Sequence, residues 1–161
     1  MPPDDGIPPH LARSYRSLVK DMHLALLSEI GARSIYDHLR RAVRDQDLAA
    51  LLARLNEEGA ASVAGLQELM RGMGGRPRRT SFRRRALARA LALASRVTGV
   101  RPVLRICHHA EETVGRWYVE YRQFLLLLGD EGRARTCDEL AHVKRRHAQA
   151  LGAWITNIAQ R

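Results

Sequence analysis

Three glutamates, a histidine and a lysine carry the chemistry this sequence offers. Glu29, Glu58, Glu111 and His147 each fall within a long run of helix-forming residues, on the apolar side of that run. At about 100° per residue, Glu29 shares a stripe with Leu18, Met22, Ala25, Ala32, Tyr36 and Leu39. Glu58 falls within about 40° of the stripe Leu51, Leu55, Ser62, Leu66, Leu69 and Met73. Glu111 lies in line with Leu104, Cys107, Val114, Tyr118 and Leu125. His147 and Lys144 stand among Leu140, Val143, Leu151, Trp154 and Ile158. Charged groups are rarely buried unless paired or bound to a metal. Carboxylates and an imidazole converging between helices are oxygen and nitrogen donors suited to iron, manganese or zinc. Lys144 implies the opposite chemistry, an ammonium that neutralises Glu29 and Glu111 where a metal would otherwise sit. Plainer readings stand beside both. His147 can be a hydrogen-bonded core histidine, Glu58 a helix-edge carboxylate, and Lys144 a stem that snorkels to water.

The elements that must position these groups are helices. Leu, Ala, Arg and Glu dominate long segments, and Gly and Pro cluster at 2–9, 72–77 and 98–102, with a further Gly-Asp-Glu-Gly at 129–132. The pattern predicts a disordered start over 1–10 and one domain over 11–161. Within it lie helix one near 11–42, helix two near 46–73, a short basic helix near 81–98, helix three near 102–128 and helix four near 132–159. Long helices with short connections, and one long linker, make an antiparallel four-helix bundle the expected all-α fold.

Composition narrows the classes. A chain of 161 residues, 45% of them hydrophobic, suits one folded domain and argues against global disorder. No apolar run approaches the ~18 residues of a membrane-spanning helix, and the N-terminus lacks the basic start and apolar middle of a secretory signal. Cys107 and Cys137 are far apart and in no metal-type pair, so the expected setting is the reducing cytoplasm. The net charge of +10 is concentrated between Arg76 and Arg89, where seven arginines and no acid occur. Arg83, Arg84, Arg85 and Arg89 thus form a basic surface. It is either a solvated face or a contact for an anionic membrane, peripheral in the second case. Nucleic acid is the poorer match, since only Phe82 interrupts the run and no binding motif surrounds it. Gly-rich phosphate loops, Gly-x-Ser-x-Gly and His-Glu-x-x-His are all missing. Cys107 on its apolar stripe reads as packing, and Trp117 and Trp154 as core or subunit-contact residues, leaving a homo-oligomer open.

Helix one reads Glu29-Ile-Gly-Ala32-Arg-Ser-Ile35-Tyr36, and helix three reads Glu111-Glu112-Thr-Val114-Gly-Arg-Trp-Tyr118. Each has a Glu, a small or aliphatic residue three later and a Tyr seven later. This twofold pattern resembles the ferritin-like superfamily. With Arg76-Pro77 after helix two and the paired glutamates of the 107–118 segment, it is most similar to the demethoxyubiquinone hydroxylase family, over roughly residues 20 to 155. The resemblance implies two irons held by one Glu from each of helices one and three and a Glu-x-x-His from each of helices two and four.

This chain departs from that set. Gly59 and Ser62 occupy the Glu and His positions of helix two, and Lys144 takes the Glu position of helix four while His147 is kept. Glu139-Leu-Ala-His142 has the right spacing, but His142 lies about 180° from Leu151 and is expected to face water. A mononuclear site would use Glu29, Glu58, Glu111 and His147, with His108, Ser62, Tyr36 and Tyr118 nearby. The family's monooxygenase chemistry needs the second set of ligands, so it is not expected here. The expected function is a non-catalytic binding or structural bundle with a degraded carboxylate site and no cofactor. Its hydrophobic, quinone-like ligand would lie between the basic helix and the bundle. The alternative is an iron- or manganese-dependent oxidoreductase with an unusual set of ligands.

Overall fold

Four long helices, with no strand among the described residues, make up the computed structural model of this chain, which describes residues 9–77, 90, 93 and 99–159. They are α1 (Pro9–Ala42), α2 (Gln46–Gly72), α3 (Val100–Leu127) and α4 (Glu131–Ala159). Their limits fall within two residues of those expected. Pro9 and His10, expected to belong to the disordered start, already belong to α1, and the rest of that expected segment lies outside the described residues. Proline suits a first turn, where its missing N–H has no partner to lose. The expected basic helix near 81–98, apart from Ala90 and Leu93, lies outside the described residues, and so do Arg83, Arg84, Arg85 and Arg89.

Local chemistry sets the helix ends. Asp45 caps α2 by accepting from the Leu48 N–H at 3.0 Å. Past its other end, Gly74 takes φ 78° and the Gly75 N–H returns to the Met70 carbonyl at 2.8 Å. Gly129, at φ 76°, closes α3 in the same manner, with the Asp130 N–H bound to the Leu125 carbonyl at 2.9 Å. Asp130 then starts α4, accepting from the Arg133 N–H at 3.1 Å. Its other carboxylate oxygen takes the Tyr15 hydroxyl at 2.6 Å, and Arg133 reaches the Gly72 carbonyl at 2.6 Å. One acid and one base therefore tie the ends of α1, α2 and α4 together.

The helices pack as two pairs, α1 with α2 and α3 with α4, joined through α1–α3 and α2–α4. Along α1 and α3, Tyr121 binds the Asp21 carbonyl, Tyr118 meets Glu29 and Tyr36 meets Glu111. Along α2 and α4, Gly72 lies by Arg133, Gly65 by Leu140 and Glu58 by His147. Two apolar clusters result. One contains Met22, Leu26, Leu66, Met70 and Leu125, and the other Leu39, Leu52, Leu55, Leu104 and Leu151. A layer of ionisable groups separates them.

Some expected core positions differ. Ala32, Val143 and Trp154 are only partly buried, while Ala134, Cys137 and Ala148 of α4 are buried without having been expected. On α4 the buried residues are Ala134, Cys137, Leu140, Ala141, Lys144, His147, Ala148 and Leu151. Its small residues carry little hydrophobic signal, so the bulkier Val143 and Trp154 pulled the expected stripe to one side. Trp117 is partly buried against the first cluster. No helix among the described residues is long and apolar enough to cross a membrane.

Candidate functional site

Glu29, Glu111, Lys144 and His147 are the acidic and basic side chains buried at the layer between the two apolar clusters, each at most 2% exposed. Glu29 comes from the middle of α1, Glu111 from α3, and Lys144 and His147 from adjacent turns of α4. Each reaches the interior because it sits on the buried row of its own helix.

Lys144 is the centre of the arrangement. Its Nζ lies 2.6 Å from Glu29 Oε2 and 2.9 Å from Glu111 Oε2. The opposite oxygen of each carboxylate is taken by a phenol. Tyr118 donates to Glu29 Oε1 at 2.9 Å, and Tyr36 donates to Glu111 Oε1 at 2.5 Å. The repeated Glu and Tyr of α1 and α3 thus cross, each helix's tyrosine serving the other helix's glutamate. His147 extends the cluster outward. Its Nδ1 lies 3.3 Å from Glu111 Oε2 and its Nε2 lies 3.1 Å from Glu58 Oε2. Glu58 is 35% exposed and also faces Arg146 at 3.6 Å and Arg54 at 3.8 Å. It is a helix-edge carboxylate that touches the buried layer from the surface.

Burial and pairing pull these groups in opposite directions. Burial drives the Glu29 carboxyl above its usual range, against the pull of Lys144 and Tyr118. Burial pushes Glu111 the same way, but His147, Lys144 and Tyr36 outweigh it and hold the carboxyl down at about 2. Burial works against the Lys144 ammonium, yet Glu29 and Glu111 keep its pKa above the ordinary value. Tyr36 and Tyr118 are raised by burial and by the neighbouring carboxylates, so both phenols stay protonated and serve as donors.

The other expected residues divide. Ser62 is buried, but its hydroxyl donates within its own helix, to the Glu58 carbonyl at 3.3 Å. His108 does not join the cluster. Lying three residues before Glu111, it is turned about 60° around α3, and its ring faces Glu112 at 3.7 Å and the Gly152 backbone of α4. His142 is exposed and bonds the Asp138 carbonyl at 2.8 Å. Two features escaped the sequence reading. A Cβ at Gly59 would come within 3.0 Å of the Arg33 side chain, so Arg33 covers the place aligned with a glutamate ligand. A Cβ at Gly115 would stand 3.2 Å from Lys144 Cβ, so this glycine leaves room for the lysine. The one available signal was a glycine in mid-helix, where it is unfavourable without a packing reason.

These residues do not fit the metal that the resemblance implies. The space between Glu29 and Glu111 is filled by an ammonium. A divalent ion ~4 Å from it would meet a repulsion of about 8 kcal/mol at an effective dielectric constant near 20. Gly59 and Ser62 supply no side-chain carboxylate or imidazole, and among the described residues no three His, Cys, Asp or Glu groups are assembled as a metal would need. What the cluster does offer is a closed set of opposite charges, each carboxylate bridged between ammonium and phenol. Cys107 lies next to Glu111 in the fold, and burial and the Glu111 charge push its thiol up to about 12, which favours the protonated form. No family model, curated protein or solved structure matches this chain.

Proposed function

We propose that this chain is a ferritin-like bundle in which Lys144 takes the place of a metal, and that it acts as a structural or binding protein independent of metal. The arrangement proposed is antiparallel, with α1 antiparallel to α2 and α3, and α4 antiparallel to α2 and α3. In support, rising residue numbers in α1 meet falling numbers in α3, and the same holds for α2 against α4. The two hairpins then require a long connection from α2 to α3, as in bundles with one crossover.

The observation that carries the functional reading is the position of the Lys144 ammonium, within 2.9 Å of both core carboxylates. An ion pair held this way supplies charge balance without metal, and it consumes the two glutamates that a dioxygen-activating centre would use as ligands. The test is metal analysis of protein expressed with added iron and manganese and purified without chelator. The expected result is well below one ion per chain. One or two tightly held ions per chain would overturn the reading in favour of a metal-dependent oxidoreductase with unusual ligands.

A further inference from the structure

A groove of about 610 Å³ runs along the seam between α3 and α4. On α3 it extends from His108 to Gln123, a length of about 22 Å at 1.5 Å per residue. Its floor is made of small residues, among them Gly115, Ala141, Ala148 and Gly152, which let another surface approach the helix backbones. Its α3 side carries Glu112, Arg116 and Glu120, and its α4 side carries Arg145. We infer that this groove is the docking face for a second copy of the chain in a two-fold dimer.

Charge is the first reason. The chain carries 27 basic against 17 acidic residues, so two copies carry like net charge and repel unless the facing patches are balanced. A two-fold interface sets one patch against the same patch on the other copy, and the patch must therefore complement itself. The groove meets that condition, with equal numbers of arginines and glutamates along its sides. Among the described residues, Glu120 and Arg145 form no ion pair within their own chain.

Apolar surface is the second reason. Leu126 and Leu127 follow Gln123 by three and four residues and so continue the α3 side of the groove. They are 44% and 86% exposed, and Leu127 is the most exposed large hydrophobic side chain described. With α3 of one copy against α4 of the other, the acids of α3 face the Arg145 side, and these leucines leave water at the groove's end.

Sedimentation of the whole chain over a range of concentrations tests the inference. Wild type is expected to form a dimer. Reversal of the acids (Glu112→Arg with Glu120→Arg) and reversal of the bases (Arg116→Glu with Arg145→Glu) are each expected to yield monomers with unchanged helical circular dichroism. Mixing the two reversed proteins is expected to restore a one-to-one dimer. The single change Leu127→Asp, remote from the buried cluster, is expected to weaken self-association in a folded protein. A wild-type chain that stays monomeric throughout overturns the inference, as do reversed variants that dimerise as well as wild type.

Discussion

Lys144 illustrates how one buried side chain is held by its neighbours and holds them in turn. Removing a single partner of a buried ion pair leaves the other charges stranded, at a cost of ~3–5 kcal/mol. Lys144→Met is therefore expected to lower unfolding stability by ~3 kcal/mol or more in urea titrations. Adding Glu29→Gln and Glu111→Gln to that variant is expected to recover most of the loss, because no uncompensated charge then remains. An effect near zero for Lys144→Met would mean that the ammonium reaches water. The pH dependence follows from the same groups. Glu111 is held at about 2, below the ordinary 4.5, so its contribution is fully present above the ordinary value and is lost as pH falls toward 2. Glu29 works in the opposite sense: its pKa is raised, so stability falls as pH rises from the ordinary 4.5 to its higher folded value. Lys144, raised above 10.5, contributes fully below that value and loses its contribution as pH climbs through its higher folded value. Urea midpoints measured against pH are expected to fall at both extremes, and Glu111→Gln is expected to flatten the acid limb. The inward direction of Glu29, Glu111, Lys144 and His147 was legible in the sequence, because helical periodicity alone decides which row a residue joins. Glu58 was only half legible. It sits at the edge of its row, where rotation of α2 against α4 decides between water and His147.

Glycines separate local helix chemistry from packing between helices. Gly31, in the middle of α1, has nothing within 4 Å of the place where a Cβ would stand. Gly31→Ala is expected to raise stability by about 0.5–1 kcal/mol, because alanine loses less backbone entropy on forming helix. Gly115 is also in mid-helix, but its missing Cβ is what lets α3 approach Lys144. Gly115→Val would crowd that contact and is expected to destabilise by ~1–3 kcal/mol. Thermal or urea unfolding of the two variants should move them in opposite directions. A matching gain for both would show that the α3–α4 seam has slack. The helices were legible because their lengths rest on propensity and their ends on Asp45, Asp130 and the glycines after α2 and α3. The buried row of α4 was less so, since alanine and cysteine face inward there while bulkier Val143 and Trp154 stay partly exposed.

The molecule as a whole divides into a neutral groove, an interior ion cluster and a strongly basic segment whose arginines, apart from Arg76, lie outside the described residues. For that segment the sequence supports one direct test. Arginines near an anionic membrane contribute roughly 1 kcal/mol each, screened by salt. Vesicle co-sedimentation is expected to need anionic lipid, to weaken with added salt, and to drop when Arg83, Arg84 and Arg85 become Gln. Binding that ignores lipid charge would count against a membrane contact. The all-helical class, the helix limits and the inward row holding each core ionisable group came from the sequence by itself. All of these depend on neighbours within a few residues, through the 3.6-residue period, propensity and caps. Only the tertiary structure decided which oxygen meets the ammonium, that Tyr36 and Tyr118 cross between helices, that His108 turns to the groove, and that Glu58 reaches His147. Lys144 and Glu29 are 115 residues apart in the chain. Their contact depends on how whole helices rotate and slide when packed, and no local pattern encodes that.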